Sequence, residues 1–462
     1  MKKSISILLA LLLAVPSFAG DKAEKTSDAP VKEHLQNHFK FYGFIRNYFA
    51  FDSRDSKAGT ADLFYYLPLD NKWNTSDVDN PAREDLNASP NFRFLALTSR
   101  VGVDVSGYYM GNVHFGAKVE ADFYAGLSSL SSATGFSGNT KISGTAQLRL
   151  RQAYATIAWK DLPMGQDKKA SVGLKIGQAW HPMAADHPHL FSLEVGAPFG
   201  PFSRTPQVTM DANLGDNWIV SASAIWQMQY QSTGPDGASA IYMKYGCTPE
   251  MYAAVAYKSK GFLVRAGADL VSIKPRNIGQ NAEGLTVHVK DRKTSLLYYA
   301  YAQYSYKKFS VKAKTTYGEG GEHMNLMSGY AVVDKSDPTD WKYASMRNSS
   351  SWFSFSYGKK WQGVLFLGYV KNFGLAQELD APIAKGDVYF CSNGFSNINQ
   401  MYRINPQLIY NIGKLNVGIE YQWTSVQYGA YDNGMLNARA LADKDLHWVG
   451  NHRVNMMVKY NF

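Results

Sequence analysis

Past its front end, the 462-residue sequence contains no run of 18 apolar residues, which excludes a helical membrane span in the body of the chain. It has only two cysteines, Cys247 and Cys391, both in polar, loop-like stretches. Two thiols in so long a chain make no disulfide framework, and whether they pair is left open. No basic run and no nucleic-acid-binding motif accompanies the formal charge of +10, so no nucleic acid partner is expected. There is no G-x-S-x-G and no H-E-x-x-H, and no nucleophile, base and orienting group can be assembled into a catalytic set. No Pro/Ser/Gly linker divides the chain, although its length would suggest two or three soluble domains.

What is present begins with MKKSISILLALLLAVPSFAG: two lysines, an apolar run of about 11 residues, and small residues ahead of Gly20. Residues 1–19 are expected to be a signal peptide, since the run is shorter than the roughly 20 residues a spanning helix needs. Residues 20–38 read as a short polar periplasmic lead without heptads. The rest is rich in Tyr, Phe, Trp and Gly, with 45% apolar residues overall. An exported chain of this kind is either soluble or crosses a membrane as strands, and strands in lipid must close into a barrel to satisfy their backbone.

Period-two alternation recurs along residues 39–462. In His452 to Phe462, Val454, Met456, Val458, Tyr460 and Phe462 share one face, and Arg453, Asn455, Met457, Lys459 and Asn461 the other. This stretch resembles the C-terminal strand of bacterial outer-membrane barrels, whose terminal Phe is part of their assembly signal. Strands are expected at 39–52, 92–106, 112–125, 145–159, 170–180, 205–214, 217–230, 250–259, 261–274, 294–307, 309–318, 350–359, 362–373, 400–412, 414–428 and 449–462. Seven short turns alternate with eight long polar segments. The fold class is therefore all-β, a transmembrane antiparallel up-and-down barrel of about 16 strands with long external loops and short periplasmic turns. Ten to fourteen residues at about 3.3 Å each, tilted by about 40°, cover an apolar band of roughly 25 Å. A barrel of this size encloses water.

The charges then have a direction. In LRLRQAY, Arg149 and Arg151 share a face opposite Leu148 and Leu150. An arginine facing lipid at midplane costs about 2 to 4 kcal/mol, so both must face the lumen. The same argument turns Arg46, Arg100, Lys118, Lys175, Arg265, Lys312, Lys314, Arg403 and Arg453 toward water. Arg46, Arg100, Lys118, Arg149, Arg151 and Lys175, from five neighbouring strands, are expected to form a basic wall at one height that selects anions, unless Asp104, Glu120 and Asp122 neutralise it.

The segment of about 181–204 is more apolar than the other loops, carries Pro188, Pro198, Pro201, Asp186 and Glu194, and is expected to fold into the lumen as a constriction. His181, His187 and His189 lie in it, but no helix or hairpin fixes their spacing and no cysteine accompanies them, so neither a metal site nor a cofactor is expected.

The words GFIRNYFAF, SRVGVDVSG, LRLRQAYATIAW and LKIGQAWHPM resemble those of the DcaP-like porins, trimeric channels of the Gram-negative outer membrane. The resemblance implies passive uptake of small anionic solutes such as dicarboxylates, with the arginines facing an acidic third loop. It also implies a homotrimer in contact with outer-membrane lipid and lipopolysaccharide, inserted by the barrel-assembly machinery through the strand ending at Phe462. Two other functions fit an exported barrel: an adhesin or receptor acting through the long loops, or an outer-membrane hydrolase, for which no catalytic set is found.

Overall fold

In the computed structural model, alternation becomes a sheet that closes on itself. Residues 38–59, 64–96, 98–125, 146–165, 168–391 and 395–462 are described. The expected signal peptide, nearly all of the expected lead, and the Ser/Gly/Thr-rich loop at 126–144 lie outside them. The described residues form sixteen barrel strands: β1 (Phe39–Asp52), β2 (in two pieces, Asn91–Leu95 and Arg100–Met110), β3 (Val113–Ala125), β4 (Ala146–Pro163), β5 (Lys169–Trp180), β6 (Arg204–Leu214), β7 (Trp218–Ile225), β8 (Glu250–Ser259), β9 (Phe262–Ile273), β10 (Lys293–Tyr306), β11 (Phe309–Glu319), β12 (Lys342–Gly358), β13 (Trp361–Leu375), β14 (Ile398–Ile412), β15 (Leu415–Ala430) and β16 (Lys444–Asn461). Each pairs antiparallel with the next, and β16 pairs with β1 from Phe44↔Asn461 to Asp52↔Arg453, which closes the barrel and leaves no open edge.

Inside and outside follow the pleat. On β16, Met456, Val458 and Tyr460 are exposed outward, while Arg453, Asn455 and Met457 are buried within. The outer surface carries aromatics at two levels. Tyr109, Trp218, Tyr306, Tyr357, Trp361 and Tyr460 lie exposed near the short-turn ends of their strands, and Phe94, Tyr298, Tyr317, Phe373 and Trp448 toward the long-loop ends. Tyr298 and Tyr306 lie on one strand; at about 3.3 Å per residue and a tilt of about 40° their separation along the barrel axis is roughly 20 Å, comparable with the apolar band of about 25 Å of membrane barrels. No described helix is long and apolar enough to cross a membrane.

Two irregularities were not legible in the alternation. The expected second strand comes in two pieces, Asn91–Leu95 paired with Tyr48–Asp52 of β1 and a second paired with Phe39–Phe44, with Arg46 between them. There the Arg46 backbone N–H donates to Ser99 Oγ at 3.1 Å, and Arg46 Nε to Thr98 Oγ1 at 3.0 Å. On β4, Glu120 of β3 pairs with Gln152 and Ala121 with Leu150, so Arg151 is the extra residue of a β-bulge.

The lumen is not empty. Phe199, Phe202, Met183 and Ala197, from the segment between β5 and β6, pack with Phe64 and Tyr66 from the first long loop and Met324 and Leu326 from the sixth. They lie against Tyr252, Tyr299, Trp352, Phe366 and Met401 of β8, β10, β12, β13 and β14. Of the two cysteines, Cys247 is exposed and Cys391 buried.

Candidate functional site: an arginine-lined passage beside an inward-folded segment

The segment from His181 to Ser203 is held from several sides. The Phe191 backbone N–H donates to Gln407 Oε1 at 3.3 Å, and the Phe191 carbonyl accepts the Tyr48 hydroxyl of β1. The His189 N–H donates to Ser354 Oγ of β12 at 3.1 Å. Lys312 and Lys314 of β11 donate to segment carbonyls, Lys312 to His187 at 3.1 Å and Lys314 to Met183 at 2.5 Å and Asp186 at 3.1 Å. Side chains of β1, β11, β12 and β14 thus converge on one chain segment, which lies across the inside of the barrel.

Its two acidic residues are consumed by this docking. Asp186 is paired with Arg265 of β9. Glu194, 1% exposed, lies 3.4 Å from Arg403 Nη1 of β14 and accepts Gln422 Nε2 at 2.9 Å. The expectation that Asp186 and Glu194 face the arginine wall is therefore corrected: Asp186 is tied to β9, across the barrel, and Glu194 to β14 and β15, where a buried carboxylate needs a paired cation. Arg403, Arg453 and Lys314 likewise do not line water; all three are buried, with Tyr65 of the first loop beneath the guanidiniums of Arg403 and Arg453 at 4.8 and 5.2 Å.

The remaining basic groups face the segment across a gap. Ladder register sets Phe44, Arg100, Asp122 and Arg149 side by side on β1 to β4. Arg149 grips Asp122 through two bonds of 2.9 Å. Arg151, the extra residue of the bulge, lies inward beside them, with Nε 2.8 Å from Glu120 Oε1 and Nη1 2.6 Å from Asp122 Oδ2. Arg100 Nη1 approaches Glu120 Oε2 at 3.5 Å, and Tyr42 donates to the same oxygen at 3.0 Å. Arg46 stacks over Phe44 and Tyr48 at 4.8 and 4.9 Å.

Arg204, which the sequence reading missed, completes the group. It lies 5.1 Å above the Trp180 ring, its Nε donates to Gln229 at 3.0 Å, and its Nη1 has no partner among the described residues. On alternation alone it shares a face with the exposed Val208 and Met210, and only its place at the strand end beside Trp180 brings it inward. Five guanidiniums (Arg46, Arg100, Arg149, Arg151 and Arg204) thus border a cavity of about 190 Å³ with Asp122 as the carboxylate in its lining. Counting Glu120 behind it, the local balance is five positive against two negative groups.

Lys118 and Lys175 are not part of this ring, contrary to the single height expected. Lys118 is four residues from Asp122 on β3, about 13 Å nearer the short turns, and pairs with Asp104 at 2.8 Å. Lys175 lies over Tyr154, which registers with Gly177. They form a second, lower level, and a separate cavity of about 300 Å³ is lined by Arg46, His189, Gln362, Asn411 and Lys459. The two cavities share Arg46, Leu190 and Phe191, so the tip of the inward segment separates an upper from a lower chamber.

Two histidines of the segment are held neutral. Burial and the neighbouring Lys314, Lys312, Arg151 and Arg204 push His187 down to about 3. Burial and Lys312 push His189 down to about 4. Neither adds charge to the passage at neutral pH.

A closed sixteen-stranded barrel with a segment folded against its inner wall is a fold that solved outer-membrane proteins share. The solved structure of the outer membrane channel DcaP of Acinetobacter baumannii has this fold: it matches 96% of this chain and 100% of its own, with a TM-score of 0.60 and 17% identity. An anion-selective porin from Comamonas acidovorans and OmpT, an outer membrane protein of Vibrio cholerae, each match 92% of this chain with a TM-score of 0.50, at 10% and 11% identity. No family model matches the sequence. No curated protein matches it.

Proposed function

We propose that the protein is a porin of the Gram-negative outer membrane, a passive diffusion channel that favours small anionic solutes, dicarboxylates among them. The observation that carries this reading is the charge imbalance of the passage: five guanidiniums against Glu120 and Asp122, with Asp186 and Glu194 tied instead to Arg265 and Arg403. In a water-filled constriction with low-dielectric walls, such an excess concentrates anions and repels cations. A dicarboxylate matches the planar, bidentate donors of paired arginines better than chloride does. The same reading includes export by a cleaved leader, insertion by the barrel-assembly machinery through the strand ending at Phe462, and a homotrimer in lipid and lipopolysaccharide.

The test is the reversal potential of the purified protein in a planar bilayer under a potassium chloride gradient. The expected value lies on the chloride side and moves toward zero when Arg149 and Arg151 are replaced by alanine. A potential on the potassium side overturns the anion preference, and absence of conductance overturns the channel itself.

A further inference from the structure

At the root of the inward segment, four buried groups from four separate parts of the chain meet. They are His181, directly after β5; Glu250, the first residue of β8; Asp269 on β9; and His323, in the 3-10 turn Glu322–Met324 that follows β11. Their side chains are 0 to 2% exposed. One ligand atom from each lies within 4.8 Å of every other. Two buried carboxylates need countercharge, and leaving them unpaired would cost several kcal/mol.

Protonated imidazoles could supply it, since His181 and His323 lie within ion-pair distance of both carboxylates, but the hydrogen bonds engage only part of the cluster. His181 Nδ1 accepts the Met183 N–H at 3.1 Å, which leaves the ring proton on Nε2, aimed at Glu250 Oε1 at 2.6 Å. Gln227 Nε2 donates to the other Glu250 oxygen at 3.1 Å. Glu250 is thereby oriented, but both oxygens of Asp269 and both nitrogens of His323 have no hydrogen-bond partner among the described residues. His323 Nε2 stands 3.4 Å from Glu250 Oε1 and 3.4 Å from Asp269 Oδ2. A charge-assisted hydrogen bond would draw these atoms to about 2.7–2.9 Å. Donors bound about 2.0–2.1 Å from one tetrahedral ion stand about 3.4 Å apart.

We propose that Glu250, Asp269 and His323 form a binding site for one divalent transition-metal ion, with His181 as the positioning residue that holds Glu250. Two carboxylates and a neutral imidazole cancel the ion's charge, and the mixed N/O set suits zinc or manganese rather than calcium or magnesium. The ion acts as a clip. The His181 N–H donates to the Ser203 carbonyl at 3.0 Å, closing the neck of the segment, and the Phe202 N–H donates to the Met324 carbonyl at 2.9 Å, one residue from His323. A metal here ties both ends of the inward segment to the wall strands β8 and β9, so its occupancy controls how firmly the constriction is held.

The test uses the full-length barrel in detergent, stripped by chelator dialysis and then titrated calorimetrically with zinc chloride, with metal content read by elemental analysis. One equivalent of zinc per chain is expected, together with slower amide hydrogen exchange across residues 181–203. Asp269→Asn and His323→Gln are each expected to lose that equivalent, whereas His288→Gln, on an exposed loop, keeps it. Heat-modifiable gel mobility separates loss of the site from loss of the barrel. A folded wild-type barrel that binds no zinc overturns the proposal and leaves a purely protonic cluster. Binding that survives both Asp269→Asn and His323→Gln overturns the assignment of ligands.

Discussion

Arg149 and Asp122 stand directly opposite each other on β4 and β3 and are joined by two parallel hydrogen bonds of 2.9 Å. Asp122 also takes Arg151 Nη1 at 2.6 Å, so one carboxylate serves two guanidiniums. It orients the wall and at the same time subtracts from its charge.

Asp122→Asn separates these roles. The substitution adds one positive charge to the passage, and the reversal potential in a potassium chloride gradient is expected to move further toward the chloride side. The barrel should lose about 1–3 kcal/mol, because two guanidiniums give up a charged acceptor. An unchanged potential would mean that permeating ions do not sense this part of the lumen.

Gly368→Leu tests the inward segment. A Cβ at Gly368 would lie 2.4 Å from Phe199 Cγ, and the Phe199 ring is fully buried against the wall beside Phe366. The two side chains cannot share the space, so the segment must give up the burial of Phe199, about 1.5–3 kcal/mol. Single-channel conductance is expected to rise while the heat-modifiable barrel persists. Wild-type conductance from a folded Gly368→Leu barrel would show that the segment does not limit flow.

The barrel was legible because the pleat writes itself into sequence: Leu148 and Leu150 against Arg149 and Arg151, or Met456 and Val458 against Asn455 and Met457, fix which face meets lipid. The site was legible only in parts. A bulge leaves no mark on alternation, so the inward turn of Arg151 could be read but not the extra residue that lets Gln152 also reach Glu120 at 3.4 Å. Arg204 reads as outward by parity. Asp186 and Glu194 show in the sequence as acidic residues of one loop, yet their partners Arg265 and Arg403 lie in strands that only barrel closure brings near. The His181, Glu250, Asp269 and His323 cluster was hidden for the same reason, since its members come from four separate parts of the chain.

The segment's hold on the wall should weaken in acid. His187 is depressed from an ordinary value near 6.5 to about 3 by burial and by Lys314 and Lys312. The docked state therefore refuses a proton that the released segment accepts. Docking is at full strength above about pH 6.5 and declines as pH falls toward 3, by at most about 1.4 kcal/mol per pH unit. His189, depressed to about 4, acts in the same direction. Between pH 7 and pH 4 the wild-type channel is expected to change conductance more than His187→Gln, which has no proton to gain. Identical pH profiles would remove His187 from the account.

Gly43→Val bears on closure of the barrel. Gly43 sits on β1 at the seam with β16, where its carbonyl accepts the Phe462 N–H at 3.1 Å and the Phe462 ring covers it. A Cβ there would come within 2.5 Å of Phe462 Cζ and 2.4 Å of the Arg100 carbonyl oxygen. The ring can swing away, but the carbonyl belongs to the neighbouring strand and cannot. Gly43→Val is therefore expected to cost about 1–3 kcal/mol through overpacking and to reduce the heat-modifiable fraction on refolding. Adding Phe462→Ala should not restore it, because the backbone clash remains. Recovery in the double variant would instead locate the strain in the aromatic ring and assign Gly43 the single task of seating the last residue.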